Sequence, residues 1–246
     1  MEPETRVLLV GAAGRMGRAI EEAAQSQGGV VIAGRVDQGD TIENSIAACD
    51  VVIDFSHVDA TRDVCATCVT HRKPAVIGTT GHSPAQRALI ESAAESIPLL
   101  LAANFSVGVN TLFWLAGKAA ELLGDEFDIE IMETHHRLKK DAPSGTAKRL
   151  AEILARARAL QPDENLAHGR VGLVGERSRQ EIGIHAIRGG DVVGDHTVLF
   201  ASTGERLELT HKASSRDTFA RGALRAAQWI IGKPAALYNM EDVLGL

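Results

Sequence analysis

A short apolar run that leads into a glycine-rich turn constrains the fold of this chain more than any other feature. Residues 7–10 (V-L-L-V) contain no polar side chain, which is typical of a parallel strand buried on both faces. Residues 11–17 follow as G-A-A-G-R-M-G and open a helical pattern through Ile20 and Ala24. A glycine turn between strand and helix favours dinucleotide binding, because a pyrophosphate can approach its backbone N–H groups. Ala12 stands where the G-x-G-x-x-G pattern has its first glycine, so an ordinary strand-to-helix turn is the alternative.

An acidic residue follows the next apolar run at a position suited to a cofactor. Residues 30–33 (V-V-I-A) predict a second strand, and Asp37 comes twenty positions after Gly17. A carboxylate there can bind the adenosine ribose hydroxyls of NAD(H). Gln38 follows, where a protein that binds the 2′-phosphate of NADPH more often has arginine, although Arg35 is close by. The sequence therefore favours NADH and leaves NADPH as the alternative.

Strands and helices continue to alternate over the first hundred residues. Apolar runs predict strands at residues 50–56, 75–77 and 99–103. Helices are predicted over residues 59–71 and from Ser83, which is followed by proline and, at the capping-box position, by Gln86. This alternation predicts a parallel α/β sheet with right-handed crossovers. Residues 38–49 are too few for a complete strand–helix pair, so this half of the sheet is expected to be trimmed.

The predicted carboxyl ends of the strands carry small or polar residues. Ligands of parallel sheets bind at these ends, so a backbone-lined cofactor groove is expected there. Besides the glycine turn, the candidates are Gly78, Thr79 and Thr80 after one strand and Ala102, Ala103, Asn104 and Phe105 after the next. The alternatives are an ordinary Gly/Thr turn for the first group and a helix-capping role for Asn104.

The second half of the chain carries a cationic segment behind a predicted strand. Residues 127–131 alternate apolar and acidic side chains, which predicts a half-buried strand. The cationic residues that follow are His135, His136, Arg137, Lys139 and Lys140, and Ser144-Gly145-Thr146 then opens a predicted helix. A helix N-terminus favours a bound anion, and imidazole or ammonium groups beside that anion can transfer protons. A solvated basic loop before an ordinary capped helix is the alternative.

The remaining segments predict a second, smaller layer. Alternating residues at 182–187, 197–200 and 207–210, with turns at 189–191 and 203–205, predict an antiparallel meander. Helices are predicted at residues 109–123 and 219–231, and the polar, Gly- and Arg-rich residues 161–180 predict a mobile loop. The lone histidines His168, His185, His196 and His211 are expected to be structural.

Charge and cysteine content exclude several classes of protein. The net charge of −6 argues against a general nucleic-acid or anionic-membrane binder, and no apolar run approaches the ~20 residues of a membrane helix. The acidic N-terminus lacks the apolar core of a signal peptide, so a cytoplasmic location is expected. Cys49, Cys65 and Cys68 do not form a disulfide framework, and a single C-x-x-C without a second pair predicts no metal site.

Five segments carry a resemblance to a known family: residues 11–17 (G-A-A-G-R-M-G), 76–81 (V-I-G-T-T-G), 102–110 (A-A-N-F-S-V-G-V-N), 135–147 (H-H-R-L-K-K-D-A-P-S-G-T-A) and 212–219 (K-A-S-S-R-D-T-F). Together they resemble the dihydrodipicolinate (4-hydroxy-tetrahydrodipicolinate) reductases of bacterial and plant lysine biosynthesis. The third and fourth are specific, and the resemblance covers nearly the whole chain. It implies NADH- or NADPH-dependent reduction of 4-hydroxy-tetrahydrodipicolinate, via dihydrodipicolinate, to tetrahydrodipicolinate. It also implies a small dicarboxylate substrate and a homotetramer.

The resemblance also implies roles for individual residues. His135 corresponds to the catalytic histidine and Lys139 to the proton donor, while His136, Ser144, Gly145 and Thr146 correspond to the site for a substrate carboxylate. The implied cofactor contacts are Gly11, Ala12, Ala13, Gly14, Arg15, Met16, Asp37, Gly78, Thr79, Thr80, Ala102, Ala103, Asn104 and Phe105. Two departures from the family concern the adenosine end of the cofactor: the trimmed region before Cys49, and Gln38 where some members carry arginine.

Pattern and resemblance together predict an α/β chain of two domains. A Rossmann-like parallel-sheet domain that binds the dinucleotide is expected at residues 1–106 and 216–246. A smaller α+β domain with a mixed or antiparallel sheet, for substrate binding and oligomerisation, is expected at residues 107–215. Two alternatives compete with this function. A semialdehyde dehydrogenase of the same fold would need a nucleophilic cysteine near its substrate, and a nucleotide-sensing regulator would not need His135 and Lys139 together.

Overall fold

The computed structural model describes residues 4–215 and 217–246, which form two compact units. The first unit contains residues 4–107 and 217–246, and the second contains residues 108–215. Met1 to Pro3 and Arg216 fall within the predicted domains, and Arg216 within the 212–219 segment, but these residues lie outside the described part of the chain. The predicted fold class is confirmed, because the chain has a parallel sheet with helices and a second, mixed sheet.

The helices and strands cover most of the described residues. The strands are β1 Thr5–Val10, β2 Val30–Val36, β3 Val51–Asp54, β4 Ala75–Ile77, β5 Pro98–Leu101, β6 Asp128–His135, β7 Leu166–His168, β8 Ile182–Arg188, β9 Gly194–Ser202, β10 Glu205–Ala213 and β11 Ala236–Tyr238. The α-helices are α1 Arg15–Gln27, α2 Thr61–His71, α3 Pro84–Ala94, α4 Val107–Leu123, α5 Gly145–Ala157, α6 Pro162–Asn165, α7 Asp217–Ile230 and α8 Met240–Leu244. Short 3₁₀ turns lie at Ile42–Asn44, Ile46–Ala48, Val58–Ala60 and Gly124–Glu126.

The first unit is built on a parallel sheet with strand order β11-β5-β4-β3-β1-β2. Its central strands are apolar because helices cover both faces, as β3 illustrates with every residue buried. One apolar cluster packs beneath α1 and α7, and the other packs beneath α2 and α3. Two 3₁₀ turns between β2 and β3 take the place of a full helix, which agrees with the trimmed segment expected there.

Two helices of the first unit show how local sequence sets their ends. Ser83 accepts a hydrogen bond from the Gln86 N–H and the Gln86 side chain accepts one from the Ser83 N–H, so the predicted capping box is present. Alanine-rich α7 packs against α1. Gly222 lets α7 also approach the backbone after β5 closely, because a Cβ there would lie 1.8 Å from the Phe105 carbonyl oxygen.

The second unit contains the mixed sheet, with strand order β10-β9-β6-β8-β7. The predicted antiparallel meander is confirmed for β9 and β10 but wrong for β8 and β9, because β6 lies between these two strands, parallel to β8 and antiparallel to β9. The turn after β8 does not close a hairpin. It binds the end of β6 through the Gly189 N–H to the His135 carbonyl (2.9 Å) and the His136 N–H to the Val192 carbonyl (2.8 Å).

The segment predicted as a mobile loop is also partly wrong, because it contains α6 and the edge strand β7. After β7, Arg170 and Arg177 both form ion pairs with the half-buried carboxylate of Glu130, which is part of the sheet. The polar composition of residues 161–180 therefore reflects ion pairs with the sheet surface. Among the described residues no helix is long and apolar enough to cross a membrane, and no His, Cys, Asp and Glu group is arranged to hold a metal.

Candidate active site

The glycine turn of the first unit has the close backbone approaches that a pyrophosphate site requires. Gly11 adopts a φ of +80°, and a Cβ there would lie 2.5 Å from the Phe55 carbonyl oxygen. A Cβ on Gly17 would lie 2.3 Å from the Gly11 carbonyl oxygen, so a side chain at either position would displace the turn. Gly14 caps α1 without a side-chain hydrogen bond, and the first turn holds no acidic residue. The N-terminus of α1 thus has the character of an anion-binding end.

The structure brings Asp37 to this turn. Its carboxylate accepts a hydrogen bond from the Ala13 N–H, with nitrogen–oxygen distances of 2.9 and 3.1 Å to its two oxygens. Arg35, the cation nearby, donates to Glu21 instead (2.9 Å from Nε to Oε1). The turn therefore has a carboxylate beside it, and the guanidinium of Arg35 is already paired with Glu21.

The ends of β3 and β4 are joined by a buried carboxylate that sequence reasoning missed. Asp54 is fully buried and accepts hydrogen bonds from Ser56 and from Thr79. Burial raises the pKa of Asp54 above its usual value, although those hydrogen bonds oppose the shift. Gly78 lies flat against the Phe55 ring, where a Cβ would come within 2.2 Å. In the sequence, Asp54 could have been identified as the one acidic residue that ends the otherwise apolar run V-V-I-D.

The remaining cofactor candidates follow the carboxyl ends of β4 and β5 in the same parallel sheet. Thr80 and Ala103 are exposed, Ala102 is half-buried, and Asn104 accepts a hydrogen bond from the Ser106 N–H (2.8 Å). Phe105 is buried with its ring centroid 5.3 Å from that of Phe55. The carboxyl ends of β1, β2, β4 and β5, with the loops that follow them, therefore lie on the same side of one parallel sheet.

In the second unit, β6 carries two ionisable groups on its buried face. Side chains alternate along the strand, so Glu133 and His135 point inward with the apolar residues before them. Glu133 is fully buried, and its Oε2 lies 2.5 Å from His135 Nδ1. Arg188 donates to both carboxylate oxygens at 2.8 Å, and the Ser144 N–H donates at 3.0 Å. Burial alone would raise the pKa of Glu133, but the hydrogen bonds from Arg188, His135 and Ser144 lower it overall.

Helix α5 begins beside this carboxylate. Ser144 is its N-cap, and Ser144 Oγ accepts a hydrogen bond from the Ala147 N–H (3.2 Å). The same oxygen lies 3.0 Å from Nε2 of His196, a buried residue directly across from Glu133 in the β6–β9 register. The His196 ring lies edge-on to the His135 ring, with centroids 5.1 Å apart. Glu133, His135, Ser144 and His196 therefore form one buried polar cluster.

His196 belongs to the candidate site, although the sequence predicted a structural role for it. Burial lowers the pKa of His196 to about 4. It is therefore neutral at pH 7, and its Nδ1 is buried with no hydrogen-bond partner among the described residues. The available signal was a polar residue at an inward position of the alternating β9 pattern.

The other predicted residues lie in the loop between β6 and α5 or at the start of α5. Lys139 pairs with Asp141 at 2.9 Å, which lowers the pKa of that carboxyl group, and its side chain is largely buried. His136 is half-buried, and its Nδ1 has no partner among the described residues. Gly145 has open space where a side chain would be, and Thr146 is half-buried on the first turn of α5. Arg137 and Lys140 are exposed.

The cysteines do not have the properties of nucleophiles. All three are buried in the first unit, and burial raises the pKa of Cys65 to about 11. Burial also raises the pKa of Cys49 and, further, that of Cys68. A thiol needs a lowered pKa to act as a nucleophile, so these residues offer nothing to a semialdehyde-type mechanism.

Comparisons with known proteins agree along the whole chain. Family models described as the N-terminus and the C-terminus of dihydrodipicolinate reductase match residues 5–105 and 108–244. The 4-hydroxy-tetrahydrodipicolinate reductase of Akkermansia muciniphila is 57% identical over 240 residues, covering 98% of both chains. The enzyme of the same name from Saccharophagus degradans is 48% identical over 265 aligned positions, covering 98% of this chain and 99% of that protein. A solved structure, the dipicolinate-bound dihydrodipicolinate reductase from Paenisporosarcina sp. TG-14, has the same fold, with a TM-score of 0.79, 24% identity and coverage of 97% and 99%.

Proposed function

The chain belongs to the dihydrodipicolinate reductase family, and we propose from that membership that it reduces 4-hydroxy-tetrahydrodipicolinate to tetrahydrodipicolinate. It is an NAD(P)H-dependent oxidoreductase of the diaminopimelate and lysine pathway. The observation that carries the proposal is the 57% identity to a protein of this activity over 98% of both chains. The buried Glu133–His135 pair beside the N-terminus of α5 supports it independently, because a sensor without chemistry needs no such pair.

The reaction consists of a dehydration followed by a two-electron reduction. Loss of water from the hydroxylated ring gives dihydrodipicolinate, whose conjugated double bond accepts a hydride at one atom and a proton at another. Lys139 supplies the proton from its ammonium group and regains it from solvent, and His135 acts as a second acid or orients the ring. The partly buried position of Lys139, whose Nζ lies 2.9 Å from Asp141 Oδ1, supports this role because the ion pair holds the side chain in one place.

The substrate carboxylates bind at the cationic start of α5. Gly145 and Thr146 lie in the first turn of that helix, Ser144 is its N-cap, and His136 adds an imidazole. Charge-assisted hydrogen bonds hold carboxylates more strongly than neutral ones, and the helix dipole adds to the attraction. The dipicolinate bound to the Paenisporosarcina relative is a dicarboxylate of the same class, which supports this assignment.

The residues of the first unit fit a nicotinamide dinucleotide. Gly11 to Met16 hold the pyrophosphate, Asp37 the adenosine ribose, and Gly78 to Thr80 with Ala102 to Phe105 line the rest of the groove. The close approach at Gly11 and Gly17, which a Cβ would block, supports this fit. When bound, the reduced cofactor supplies the hydride.

The surroundings of Asp37 favour NADH. A 2′-phosphate would bring negative charge beside the Asp37 carboxylate, and Arg35 is already paired with Glu21. We expect a higher kcat/KM with NADH than with NADPH in side-by-side titrations. A preference for NADPH would contradict this part of the proposal.

The proposal extends to the assembly and location that the family resemblance implies. The second unit, residues 107–215 in the predicted boundaries, binds substrate and forms a cytoplasmic homotetramer, and residues 1–106 and 216–246 bind the cofactor. Light scattering coupled to size-exclusion chromatography tests the assembly. A monomer at working concentration would contradict it.

A coupled assay tests the function itself. Dihydrodipicolinate synthase, pyruvate and aspartate semialdehyde generate the substrate, and oxidation of NADH reports its reduction. We expect robust turnover by the wild type and a loss of ~10²-fold or more in kcat for Lys139→Ala. The exposed neighbour Lys140→Ala is the matched control and should retain kcat within about threefold. Unchanged turnover in Lys139→Ala would remove its role, and no reduction by the wild type would favour a nucleotide sensor.

A further inference from the structure

The carboxylate of Glu133 joins two parts of the candidate site that are separate in the sequence. It accepts four hydrogen bonds, from His135 Nδ1, from two nitrogens of Arg188 and from the Ser144 N–H. His135 ends β6, whereas Ser144 caps α5, the helix whose first turn is the proposed carboxylate site. One fully buried side chain therefore fixes both the imidazole and the helix end.

The protonation state of this carboxylate determines which nitrogen of His135 carries hydrogen. Hydrogen bonds from Arg188, His135 and Ser144 outweigh burial and keep the pKa of Glu133 below its usual value, so the group is ionised at pH 7. An ionised carboxylate only accepts hydrogen bonds, so the His135 nitrogen that faces it, Nδ1, must be the donor. Nε2 then points away, toward Gly194, where a Cβ would lie only 3.0 Å from it.

We propose that Glu133 is a positioning residue for the proton transfer from Lys139: it holds the His135 ring by accepting from Nδ1–H, which leaves Nε2 as the acceptor that orients the reacting ring. Glu133 does not touch the substrate; it acts through His135 and, by way of Ser144, through the helix end that binds the carboxylate. The inference rests on the proposed function. A positioning role explains why a carboxylate is buried at this place, since burying an ion costs more free energy than burying a neutral side chain.

The competing explanation is that Glu133 and Arg188 form only a structural ion pair, and the chain contains a matched control for it. Glu130 lies on the same strand but on the opposite face, and it too binds arginine and histidine side chains, those of Arg170, Arg177 and His185. A structural role predicts similar behaviour for Glu133→Gln and Glu130→Gln. A positioning role predicts that only the first alters proton transfer.

Kinetic isotope effects separate the two explanations, because they do not depend on the fraction of folded enzyme. For Glu133→Gln we expect kcat to fall by on the order of 10²-fold with KM for NADH nearly unchanged. We also expect a larger solvent isotope effect and a smaller effect of deuterium on the transferred hydride, since proton transfer becomes slower relative to hydride transfer. Glu130→Gln should lose thermal stability but keep kcat within about threefold and both isotope effects at wild-type values.

A second variant covers the case in which Glu133→Gln does not fold. Glu133→Asp keeps the negative charge near Arg188 but withdraws it from Nδ1 by one methylene, so we expect the same kinetic changes with a smaller loss of stability. Failure of this variant to fold as well would assign Glu133 to the fold alone and overturn the inference. Unchanged isotope effects in a folded variant would also overturn it. If the wild type is active and Glu133→Gln has unchanged kinetics, only this inference is contradicted. If the wild type is inactive, the proposed function itself is contradicted.

Discussion

The protonation of His196 connects the candidate site to the stability of the fold. Its pKa is lowered by burial to about 4, from an ordinary value of 6.5. The unfolded chain therefore takes up a proton that the folded chain resists. The stability contributed by neutral His196 is fully present above pH ~6.5 and is lost as pH falls toward ~4. At ~1.4 kcal/mol per pKa unit, the total change is on the order of 3 kcal/mol.

We expect His196→Phe to show a flatter dependence of unfolding free energy on pH between about 6.5 and 4 than the wild type does. The variant keeps a ring in the cluster but has no group to protonate. Urea unfolding at several pH values in this window measures the effect. The control is His168→Phe at the exposed histidine of β7, which measures how far the loss of an exposed imidazole changes the slope. Equal slopes for His196→Phe and the wild type would show that His196 is not held neutral.

At the residue scale, the features that could be predicted are those that depend only on residues close together in the sequence. The capping box at Ser83 and the cap at Ser144 depend on residues within one turn, so their patterns were sufficient. Glu133 and His196 could not be assigned in the same way. They meet because β6 and β9 pair in one particular register, and a single sequence does not contain that register.

At the element scale, the strand-and-helix alternation of the first unit was predictable because each parallel strand is a continuous apolar run. The strand order of the mixed sheet was not predictable, since β8 and β9 have hairpin-like spacing yet are separated by β6. Backbone hydrogen bonds from the turn after β8 to the end of β6 decide that order, and they depend on tertiary contact. The strand β7 was hidden in a polar stretch because Arg170 and Arg177 pair with Glu130 across the sheet.

The turn between β1 and α1 can be tested as an element. In Gly17→Ala the new Cβ would lie 2.3 Å from the Gly11 carbonyl oxygen, so the turn must move away from α1. We expect KM for NADH to rise at least ~10-fold, because backbone N–H groups aimed at the pyrophosphate would be displaced. Steady-state kinetics and NADH titration measure this. Arg18→Ala, an exposed change on the same helix, should keep the wild-type KM, whereas a wild-type KM in Gly17→Ala would argue against a cofactor role for the turn.

At the scale of the whole molecule, the chain leaves the first unit near residue 107 and returns to it from residue 217 onward. The return was anticipated from the family resemblance, since no periodic pattern in an alanine-rich helix says which unit it covers. The last segment was not anticipated at all. Residues 236–244 form β11 at the edge of the parallel sheet and the short helix α8, whose apolar content is too small to stand out.

This last segment completes the sheet of the first unit, so its removal should weaken a unit that begins more than two hundred residues earlier. Met240 and Val243 are buried in the cluster beneath α1 and α7, and β11 pairs with β5 along the edge of the sheet. A chain shortened to residue 233 would expose this core and leave β5 unpaired on one side. At roughly 1.5–3 kcal/mol for each buried side chain, we expect at least about 3 kcal/mol of stability to be lost. Urea unfolding measures the loss, and NADH binding should weaken with it, while deletion of the partly exposed Leu246 alone should change neither much. A shortened chain that unfolds at the same urea concentration as the full chain would mean that the first unit is complete without β11 and α8.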